Sequence, residues 1–396
     1  MSYNIAKTGL NAVTQQLSAI SNNIANGDTN GYKSMRAEFA SLYSSGQAMG
    51  VGVTSISQSI TQGGNLVGTN RSLDLAISGS GFFMTKDLSG AIKYTRAGIM
   101  GADSEGNIID NKGMRLQGYP VDENGQLQTG VIDNLRINSG SIPAKATDKM
   151  SYTANLNANS KVPTKTPFDK SDSETYNNTY TSKIYDSLGR EHTMEQYFVK
   201  SADNTWEAHY FVDGAAATPA TQAITFSTNG VITAPTAAIA ITSPITGADP
   251  LSIELDYAGT SQYGSEFNVT KNSPNGYASG EKNGEQIDDD GKIYATYTNG
   301  ERKLQGQLIL ANFTNPNGLS TEDGTAWSAN NMSGQAIIGV PKSGLNGQIA
   351  SYALEGSNVD MTSELVGLMA AQRNYQANTK VLSTNDAMMN ALYQAI

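Results

Sequence analysis

Two segments at the ends of the chain carry hydrophobic residues at helical spacing. Near the start they recur every three or four positions, and near the end most recur every seven, as at the a and d positions of a coiled coil. The residues of these two stripes are Leu10, Val13, Leu17, Ile20, Ile24, Leu365, Leu368, Tyr375, Leu382, Met389 and Ile396. We therefore predict one helix within residues 1–27 and another within 360–396, which together form a coiled-coil-like core domain.

Local signals predict where these helices end and how they pack. Gly27 follows Asn26 after the first stripe, and we expect it to adopt the left-handed conformation that stops a helix. Asp360 is a predicted N-cap, with Glu364 in the first turn. Because charges are sparse, we expect the helices to pack against each other and against neighbouring chains, and to be largely disordered in the free monomer. The alternative is a pair of ordinary amphipathic helices docked on the chain's own β-structure.

The sequence between the two ends alternates hydrophobic and polar residues with a period of two, as β-strands do. Residues 73–77, 206–212 and 251–257 are examples. Asn-Gly pairs begin at residues 26, 30, 124, 229, 275, 283, 299, 317 and 346. We expect most of them to form tight hairpin turns, since this dipeptide tolerates positive φ at both residues. Continuous βαβ repeats are missing, which favours antiparallel β domains of sandwich or barrel type.

Proline content separates one part of the β region from the rest. Seven of the eleven prolines lie in residues 146–276, where Thr and Ala are also frequent. This composition is typical of an inserted β domain with a solvated surface. The predicted fold is mainly β with α-helical termini, divided into a terminal helical core domain (1–27 and 360–396), a linker or extended region (28–70), a discontinuous inner β domain (71–145 and 277–359) and an inserted outer β domain (146–276).

Composition excludes several classes of protein. The net charge is −10 and no basic cluster occurs, which disfavours a nucleic-acid ligand. Cysteine is absent, so disulfides, thiolate metal sites and thiol catalysis are excluded. No apolar run approaches the roughly 18 residues of a membrane span. The amphipathic start of the chain also disfavours a Sec-type signal peptide.

Histidine offers little support for catalysis. His192 and His209 are the only histidines, and no cysteine is present to form a nucleophile–base pair with either. We expect each to be a strand-surface residue. We therefore predict no catalytic residues, no cofactor and no enzymatic activity.

An acidic run from Asp288 to Gly291 resembles the beginning of a Ca²⁺ loop. The distal Glu of such a loop is not in place, and similar acidic turns start at Asp103 and Asp122. A hairpin turn is the preferred interpretation, because Asp and Asn stabilise turns locally. No phosphate-binding Gly-rich loop occurs between a strand and a helix, so no metal-binding or cofactor-binding residues are predicted.

Short sequence blocks at the two ends form a specific combination. The blocks are Asn22–Asn26, Thr29–Lys33, Leu73–Phe83, Tyr94–Gly98, Leu354–Asp360 and Gln372–Asn378. Their order and positions resemble the signatures of the bacterial flagellar rod and hook axial protein family. The residues that we take as the family signature are Asn22, Asn23, Asn26, Gly31, Tyr32, Lys33, Asn358, Val359, Asp360, Gln372, Arg373 and Tyr375.

Within this family, the chain resembles the hook members more than the rod members. Rod proteins are generally shorter and lack a large second β domain, whereas hook proteins carry an insertion like residues 146–276. Residues 307–313, followed by 317–319 and Trp327, also resemble the return of a hook protein into its inner β domain.

The resemblance implies a structural subunit of the flagellar hook. Such a subunit polymerises through its terminal helices into a curved hollow tube, a universal joint that passes motor torque to the filament, and its linker region touches neighbouring subunits. The implied partners are other copies of the chain, a hook cap protein during assembly, the distal rod below, the hook–filament junction protein above and the flagellar type III export apparatus. No nucleic acid and no membrane insertion are implied. The implied location is extracellular, at the hook and basal body, after export without a cleaved signal peptide.

Two alternatives remain open from sequence. A distal rod protein of the same family would form a straight rigid shaft, and the inserted domain argues against it. A secreted β-rich adhesin or hydrolase is the unrelated alternative. The paired helical stripes and the lack of a catalytic constellation argue against that class.

Overall fold

A computed structural model describes residues 2–44, 47–122 and 125–395 of the chain. Helices α1 (Ser2–Ala25) and α2 (Met361–Ala395) lie at its ends. The strands before the proline-rich region are β1 (Met35–Ser44), β2 (Gln47–Gln58), β3 (Leu66–Gly68), β4 (Leu75–Ser78), β5 (Phe82–Lys86), β6 (Ile92–Thr95), β7 (Met100–Ala102), β8 (Ile108–Asp110), β9 (Arg115–Pro120), β10 (Asp133–Asn134) and β11 (Lys149–Asn155). The next strands are β12 (Asn178–Tyr185), β13 (Glu191–Ala202), β14 (Thr205–Val212), β15 (Ala215–Phe226), β16 (Ile232–Ala234), β17 (Ile239–Ser243), β18 (Leu251–Asp256) and β19 (Asn268–Pro274). The last strands are β20 (Lys282–Ile287), β21 (Lys292–Tyr297), β22 (Arg302–Leu308), β23 (Leu310–Asn312), β24 (Ser320–Glu322), β25 (Ala326–Ser328), β26 (Ile337–Gly339), β27 (Gln348–Ser351) and β28 (Ala353–Glu355).

Two short 3₁₀ helices, Ser173–Thr175 and Pro316–Gly318, interrupt the β-structure. The predicted fold class, mainly β with helical termini, is confirmed. The predicted stripe residue Ile396 and the Asn of the pair at 124 lie outside the described residues.

The chain divides into two compact units. Unit 1 contains the chain up to Ser139, Gly284–Thr296 and the chain from Arg302, while unit 2 contains Gly140–Asn283 and Tyr297–Glu301. Unit 2 is longer than the insertion predicted over 146–276. The reason is local pairing, since β-bridges join Ile142 to Gly280 and Lys145 to Tyr277 just outside that range.

Unit 1 is built from strands that precede and follow the insertion. Its main sheet runs β21-β22-β9-β5-β6-β25-β24, with β20 at the β21 edge, and β23 pairs with β5 and β26. Two further pairs, β4 with β27 and β3 with β28, are antiparallel. A discontinuous domain requires such pairing. One hydrophobic cluster includes Phe83, Leu116 and Leu308, and a second includes Phe82 and Trp327.

Unit 2 has one sheet in the order β12-β13-β14-β15-β17-β18-β11-β19, with β16 on β15. The pairing is antiparallel except between β11 and β18, which are parallel. Alternate residues of β14 face the core, so Trp206 and Tyr210 are fully buried. Their polar atoms are paired: Trp206 Nε1 donates to Gln262 Oε1 at 2.9 Å, and the hydroxyls of Tyr210 and Tyr257 are 3.0 Å apart. These pairs satisfy the rule that buried polar groups need hydrogen-bond partners, whereas the hydroxyl of Tyr152 and Nε2 of Gln196 are buried without a partner among the described residues.

The region predicted as a linker, residues 28–70, contains the long antiparallel hairpin β1–β2. This hairpin packs along α1. Gly50 in β2 has a φ of +108°, and a Cβ at this position would lie 2.0 Å from Thr8 Oγ1 of α1. Only glycine permits so close an approach of strand and helix.

The expected role of Gly27 is wrong. Helix α1 ends at Ala25, and Gly27 is not among the glycines with positive φ. The small side chain is needed for packing instead, because a Cβ on Gly27 would lie 2.8 Å from the sulfur of Met361, the first residue of α2.

The turn geometry expected for the Asn-Gly pairs is also wrong. Among the pairs that the structure describes, no asparagine has a positive φ. In the pair at 229, the turn is four residues long: the Gly230 N–H donates to the Ser227 carbonyl, and only the glycine needs positive φ. The tight two-residue turn with positive φ at both positions is Asp213-Gly214, between β14 and β15.

The two tryptophans allow the two cores to be followed separately. In a Trp327→Phe background Trp206 reports unit 2, and Leu255→Ala removes a fully buried side chain from its core. We expect this change to lower the free energy of unfolding of unit 2 by about 2–5 kcal/mol in a fluorescence-detected denaturant titration.

The matched background is Trp206→Phe, in which Trp327 reports unit 1. There, Leu255→Ala should leave the transition in place. Equal shifts of both tryptophan signals would show that the two cores unfold as one.

Candidate assembly site

The two terminal helices pack side by side in opposite directions. Gly9 of α1 lies against Asn378 of α2, and Gly367 of α2 lies against Ile20 of α1. A small hydrophobic cluster fills the contact, with Val13, Ile20 and Ala371 buried. Leu17, Ile24 and Leu368 pack against this cluster and are partly buried.

The predicted stripes behave differently in the two helices. In α1, Val13 and Ile20 are buried and the others are partly buried, as expected of a seam. In α2, Leu368 and Leu382 are partly buried, whereas Leu365, Tyr375 and Met389 are exposed. The sequence pattern missed Ala371 and the buried alanines Ala6, Ala12 and Ala19. In α1 the available signal was small residues about two helical turns apart, since small side chains on one helix face permit close contact.

Other large hydrophobic side chains of α2 are not covered by any part of the chain that the structure describes. The exposed large hydrophobic residues of this helix include Val366, Met369, Val381, Met388 and Leu392. From the contacts of Gly9 and Ile20, the first turn of α1 reaches the level of about residue 385, because both helices rise by the same distance per residue. The last turns of α2 therefore extend beyond α1 with Met388 and Leu392 uncovered.

A buried charge cluster connects the chain just after α1 and the chain just before α2 to the β domain. The carboxylate of Glu355 is 1% exposed and lies in β28, just before α2. Its Oε1 accepts hydrogen bonds from Lys33 Nζ at 2.6 Å and from the Gly64 N–H at 3.0 Å. Its Oε2 accepts from Arg96 Nη1 at 3.0 Å. We call Lys33, Arg96 and Glu355 the Glu355 anchor.

Both cations of the anchor, Lys33 and Arg96, are buried and shielded from water. Burial lowers the pKa of Lys33, although Glu355 opposes that shift, and the pKa of Arg96 is lowered for the same reason. Lys33 Nζ also donates to the Gln62 carbonyl at 2.6 Å, and Arg96 Nη2 donates to the Gly79 carbonyl at 2.8 Å. The anchor thus joins five separate stretches of chain.

Asn23 connects α1, β1 and α2 through one side chain. Its Nδ2 donates to the Met35 carbonyl at 2.8 Å and to Glu364 Oε1 at 2.9 Å. Its Oδ1 accepts from the Met35 N–H at 2.8 Å and from the Tyr32 hydroxyl at 3.1 Å. Burial, followed by the nearby charge of Glu364, raises the pKa of Tyr32. Tyr32 therefore stays neutral and can act as a donor.

The chain enters α2 through two further polar contacts. Asn358 Oδ1 accepts from the Ser34 N–H at 2.7 Å, and its Nδ2 donates to the Ser59 carbonyl at 3.0 Å. Asp360 caps α2 as predicted, since its Oδ1 accepts from the N–H groups of Thr362 and Ser363 at 2.9 and 3.1 Å. These hydrogen bonds lower the pKa of Asp360.

The remaining signature residues have separate placements. Gly31 has a φ of +74°, and a Cβ there would lie 2.6 Å from the Ala97 nitrogen. Its N–H donates to the Glu355 carbonyl at 2.7 Å, next to the anchor. Asn26 Nδ2 donates to Asn22 Oδ1 at 3.1 Å. Val359 is partly buried, and Gln372, Arg373 and Tyr375 are exposed on α2.

The predicted acidic turn at Asp288 is a hairpin turn held by ion pairs. The Asp288 N–H donates to the Lys292 carbonyl, which closes the turn. Asp288 pairs with Arg302 at 3.3 Å, and Asp290 pairs with Lys292 at 2.7 Å. Within the described residues, no group of three or more His, Asp or Glu side chains could hold a metal ion. Neither described helix is long and apolar enough to cross a membrane.

Family profiles match this chain in four places. Residues 4–33 match "Flagella basal body rod protein", and residues 76–153 match "Flagellar hook protein FlgE/F/G D1 domain". Residues 155–277 match "Flagellar basal body protein FlaE D2 domain", and residues 350–395 match "Flagellar basal body rod FlgEFG protein C-terminal".

Two relatives that match over nearly the whole chain are both named flagellar hook protein FlgE. The flagellar hook protein FlgE of Salmonella typhimurium is 38% identical over 407 residues, covering 99% of each chain. That of Escherichia coli K12 is 37% identical over 399 residues, also covering 99% of each chain. The crystal structure of Helicobacter pylori flagellar hook protein FlgE2 has the same fold, with a TM-score of 0.54, 14% identity and coverage of 73% of this chain and 100% of that one.

Removal of the anchor carboxylate should destabilise unit 1 strongly. Glu355→Ala leaves Lys33 and Arg96 buried without their anion, so we expect a loss of about 3–5 kcal/mol in the free energy of unfolding. The measurement is a denaturant titration followed by Trp327 in the Trp206→Phe background.

Glu38→Ala is the control, because Glu38 pairs with Arg36 on the exposed hairpin surface. This change should have no measurable effect, since exposed ion pairs contribute little. Similar losses in the two variants would show that burial of the anchor is unimportant.

Proposed function

The chain belongs to the flagellar hook protein FlgE family, and we propose that its terminal helices carry the contacts by which this hook subunit polymerises. The protein is a structural subunit of the flagellar hook. The observation that supports the proposal is the apolar surface of α2 that no part of the described chain covers. Water contact with so many large hydrophobic side chains on one helix is unfavourable. A second copy of the chain is the partner that a polymer supplies.

The predicted interface residues fall into two groups on this basis. We assign Leu10, Val13, Leu17, Ile20, Ile24, Leu368 and Leu382 to the seam within one subunit. We assign Leu365, Tyr375 and Met389, which are exposed, to contacts between subunits. Such a division explains why one hydrophobic stripe predicts both helix pairing and assembly.

We further propose that the polymer is a curved hollow tube that serves as a universal joint between motor and filament. The terminal helices (1–27 and 360–396) form its inner wall, the region 28–70 touches neighbouring subunits, the inner β domain (71–145 and 277–359) forms a middle shell, and the inserted domain (146–276) forms the outer surface. The supporting feature is a contrast in surface chemistry. The exposed residues of α2 include large hydrophobic side chains such as Val381, Met388 and Leu392, whereas those of β17 and β18 include Thr242, Ser252 and Glu254.

Membership of the family supports a proposal for the assembly and export partners. We propose contacts with a hook cap protein during growth, with the distal rod below and with the hook–filament junction protein above. We also propose export through the flagellar type III apparatus without a cleaved signal peptide, to an extracellular position. The protein is a flagellar hook and basal body component.

The family is a structural one, and we propose that the chain has no catalytic activity. Full-length relatives named hook protein favour the hook over the distal rod, which was the main alternative. The same matches leave no support for an adhesin or hydrolase.

Polar substitution of the uncovered end of α2 should block polymerisation. Met388 and Leu392 are exposed in the subunit, so the double change to Asn leaves both folded cores intact. Each buried hydrophobic side chain contributes about 1.5–3 kcal/mol to an interface. We therefore expect the critical concentration, measured by light scattering and electron microscopy, to rise by about 100-fold or more.

Gln376→Asn is the matched control, because it introduces Asn at an exposed polar position of the same helix. It should polymerise at nearly the original concentration. Normal polymerisation of the Met388/Leu392 variant would remove these residues from the interface.

Deletion of the outer domain tests its proposed role in curvature. Lys145 and Tyr277 exchange two backbone hydrogen bonds of 3.0 Å, so a two-residue Asn-Gly turn can join them in place of residues 146–276. We expect this chain to form tubes that do not supercoil, as seen by electron microscopy, with the Trp327 transition unchanged. Supercoiled tubes from the deleted chain would contradict the assignment.

A further inference from the structure

The side chain of His192 lies between two carboxylates at one end of the unit 2 sheet. Its Nδ1 is 2.6 Å from Asp213 Oδ2, and its Nε2 is 3.2 Å from Asp186 Oδ2. Asp186 begins the turn between β12 and β13, and Asp213 begins the tight turn between β14 and β15. The imidazole therefore bridges two hairpin turns that are far apart in sequence.

The hydrogen-bond partners of the two ring nitrogens indicate the protonation state of His192. An ionised carboxylate can only accept hydrogen bonds, and a neutral imidazole has one donor nitrogen and one acceptor nitrogen. With both ring nitrogens facing carboxylate oxygens, a neutral ring would place a lone pair against an anion. Only the doubly protonated ring can donate to both Asp186 and Asp213.

We propose that His192 is an imidazolium clamp that locks the β12–β13 turn to the β14–β15 turn, and that alkaline pH releases the lock. The two carboxylates are themselves held in place. Asp186 has a fully buried side chain and accepts from Arg190 Nε at 2.7 Å and from the Arg190 N–H at 2.8 Å. Asp213 Oδ1 accepts from the Thr193 N–H at 2.8 Å. Proton loss from His192 thus leaves a repulsive contact that neither carboxylate can relieve by turning away.

Other charges around the clamp do not replace the imidazolium. Arg190 binds the same Oδ2 of Asp186, but it also donates to the Thr246 carbonyl and does not reach Asp213 by any described contact. Lys170 donates to the Gly214 carbonyl at 2.6 Å, beside the Asp213 turn. Glu191, the preceding residue, pairs with Lys183 at 2.9 Å.

The electrostatic balance agrees with this geometry. Burial alone lowers the pKa of His192, but the hydrogen bonds and charges of Asp213 and Asp186 outweigh it and raise the pKa above 6.5. A raised pKa means that the folded state holds the proton more tightly than the unfolded chain. The contribution to stability is therefore complete below pH 6.5 or so and is lost as the pH rises through the folded pKa.

The second histidine is an internal reference in the same unit. His209 stacks on Phe168 with ring centroids 3.9 Å apart, and burial lowers its pKa below 6.5. Since the chain has only these two histidines, their ring proton signals can be separated by NMR in the full-length protein. His192→Gln assigns the two signals.

The first test is an NMR titration of the full-length chain and of Asp213→Asn. We expect the His192 midpoint above 6.5 and the His209 midpoint below it, and Asp213→Asn should lower only the former. Asp213 has a φ of +48°, which Asn tolerates, so this variant keeps the turn. Asp203→Asn, in the turn at the other end of β13 and β14, changes the net charge equally and should leave the His192 midpoint unchanged.

The second test measures the unfolding of unit 2 through Trp206 in the Trp327→Phe background. As the pH is raised, the folding equilibrium constant of the chain that keeps His192 should fall relative to that of His192→Gln. The fall should reach at most tenfold for each pH unit between the unfolded and the folded pKa of His192. A His192 midpoint at or below 6.5, or one that Asp213→Asn does not move, would overturn the clamp.

Discussion

The carboxylate of Glu355 accepts hydrogen bonds from Lys33 and Arg96 in a site that excludes water, and unit 1 depends on this contact. Moving such ions out of water costs several kcal/mol each, which their attraction offsets only when the geometry is good. Two cations face one anion here, and Arg96 Nε has no hydrogen-bond partner among the described residues. Replacement of a buried ion cluster by apolar side chains of similar volume is often neutral or stabilising. We infer that the anchor serves to fix position, since it aligns the chain before α2 with the chain after α1.

The alignment of α1 and α2 depends on contacts outside the helices, because the two helices bury only a small hydrophobic core between them. The buried contact between α1 and α2 consists of Val13, Ile20 and Ala371, with a few partly buried neighbours. A helix pair with so small a core is marginal in water. The position of the helix pair is set where α1 ends and α2 begins. There Asn23 of α1 bonds to Glu364 in the first turn of α2, and Asn358, just before α2, accepts a hydrogen bond from the Ser34 N–H. The far end of α2 is then free to offer Met388 and Leu392 to another copy.

The sequence predicted the helices and the β-strands well, because each depends on local periodicity. It could not separate the residues of α2 that pack against α1 from those that are exposed. A hydrophobic stripe looks the same in sequence whether its partner is in the same chain or in another. Gly27 was assigned from a common pattern at helix ends, but its role comes from contact with Met361, which is distant in sequence. The anchor was missed for the same reason: Lys33 and Glu355 are 322 positions apart, and only the folded chain brings them together. Lys33 was among the signature residues, and Arg96 and Glu355 lay inside the signature blocks, but the sequence did not show that these charges pair.

The two units place hydrophobic surface in different ways, and this difference bears on how a hook can bend. In unit 2, β17 and β18 bury alternate residues and expose small or polar ones between them, while aromatic side chains such as Trp206 and Tyr210 lie in the core of the unit. If neighbouring copies meet through such a surface, as we propose, their contacts exchange protein hydrogen bonds for water at small net free energy, which permits sliding. Large hydrophobic side chains are exposed on α2, and sliding of a contact made through them would return hydrophobic area to water. A polymer that holds at its helices and slides at its outer domains can change the length of its outer side without breaking its wall.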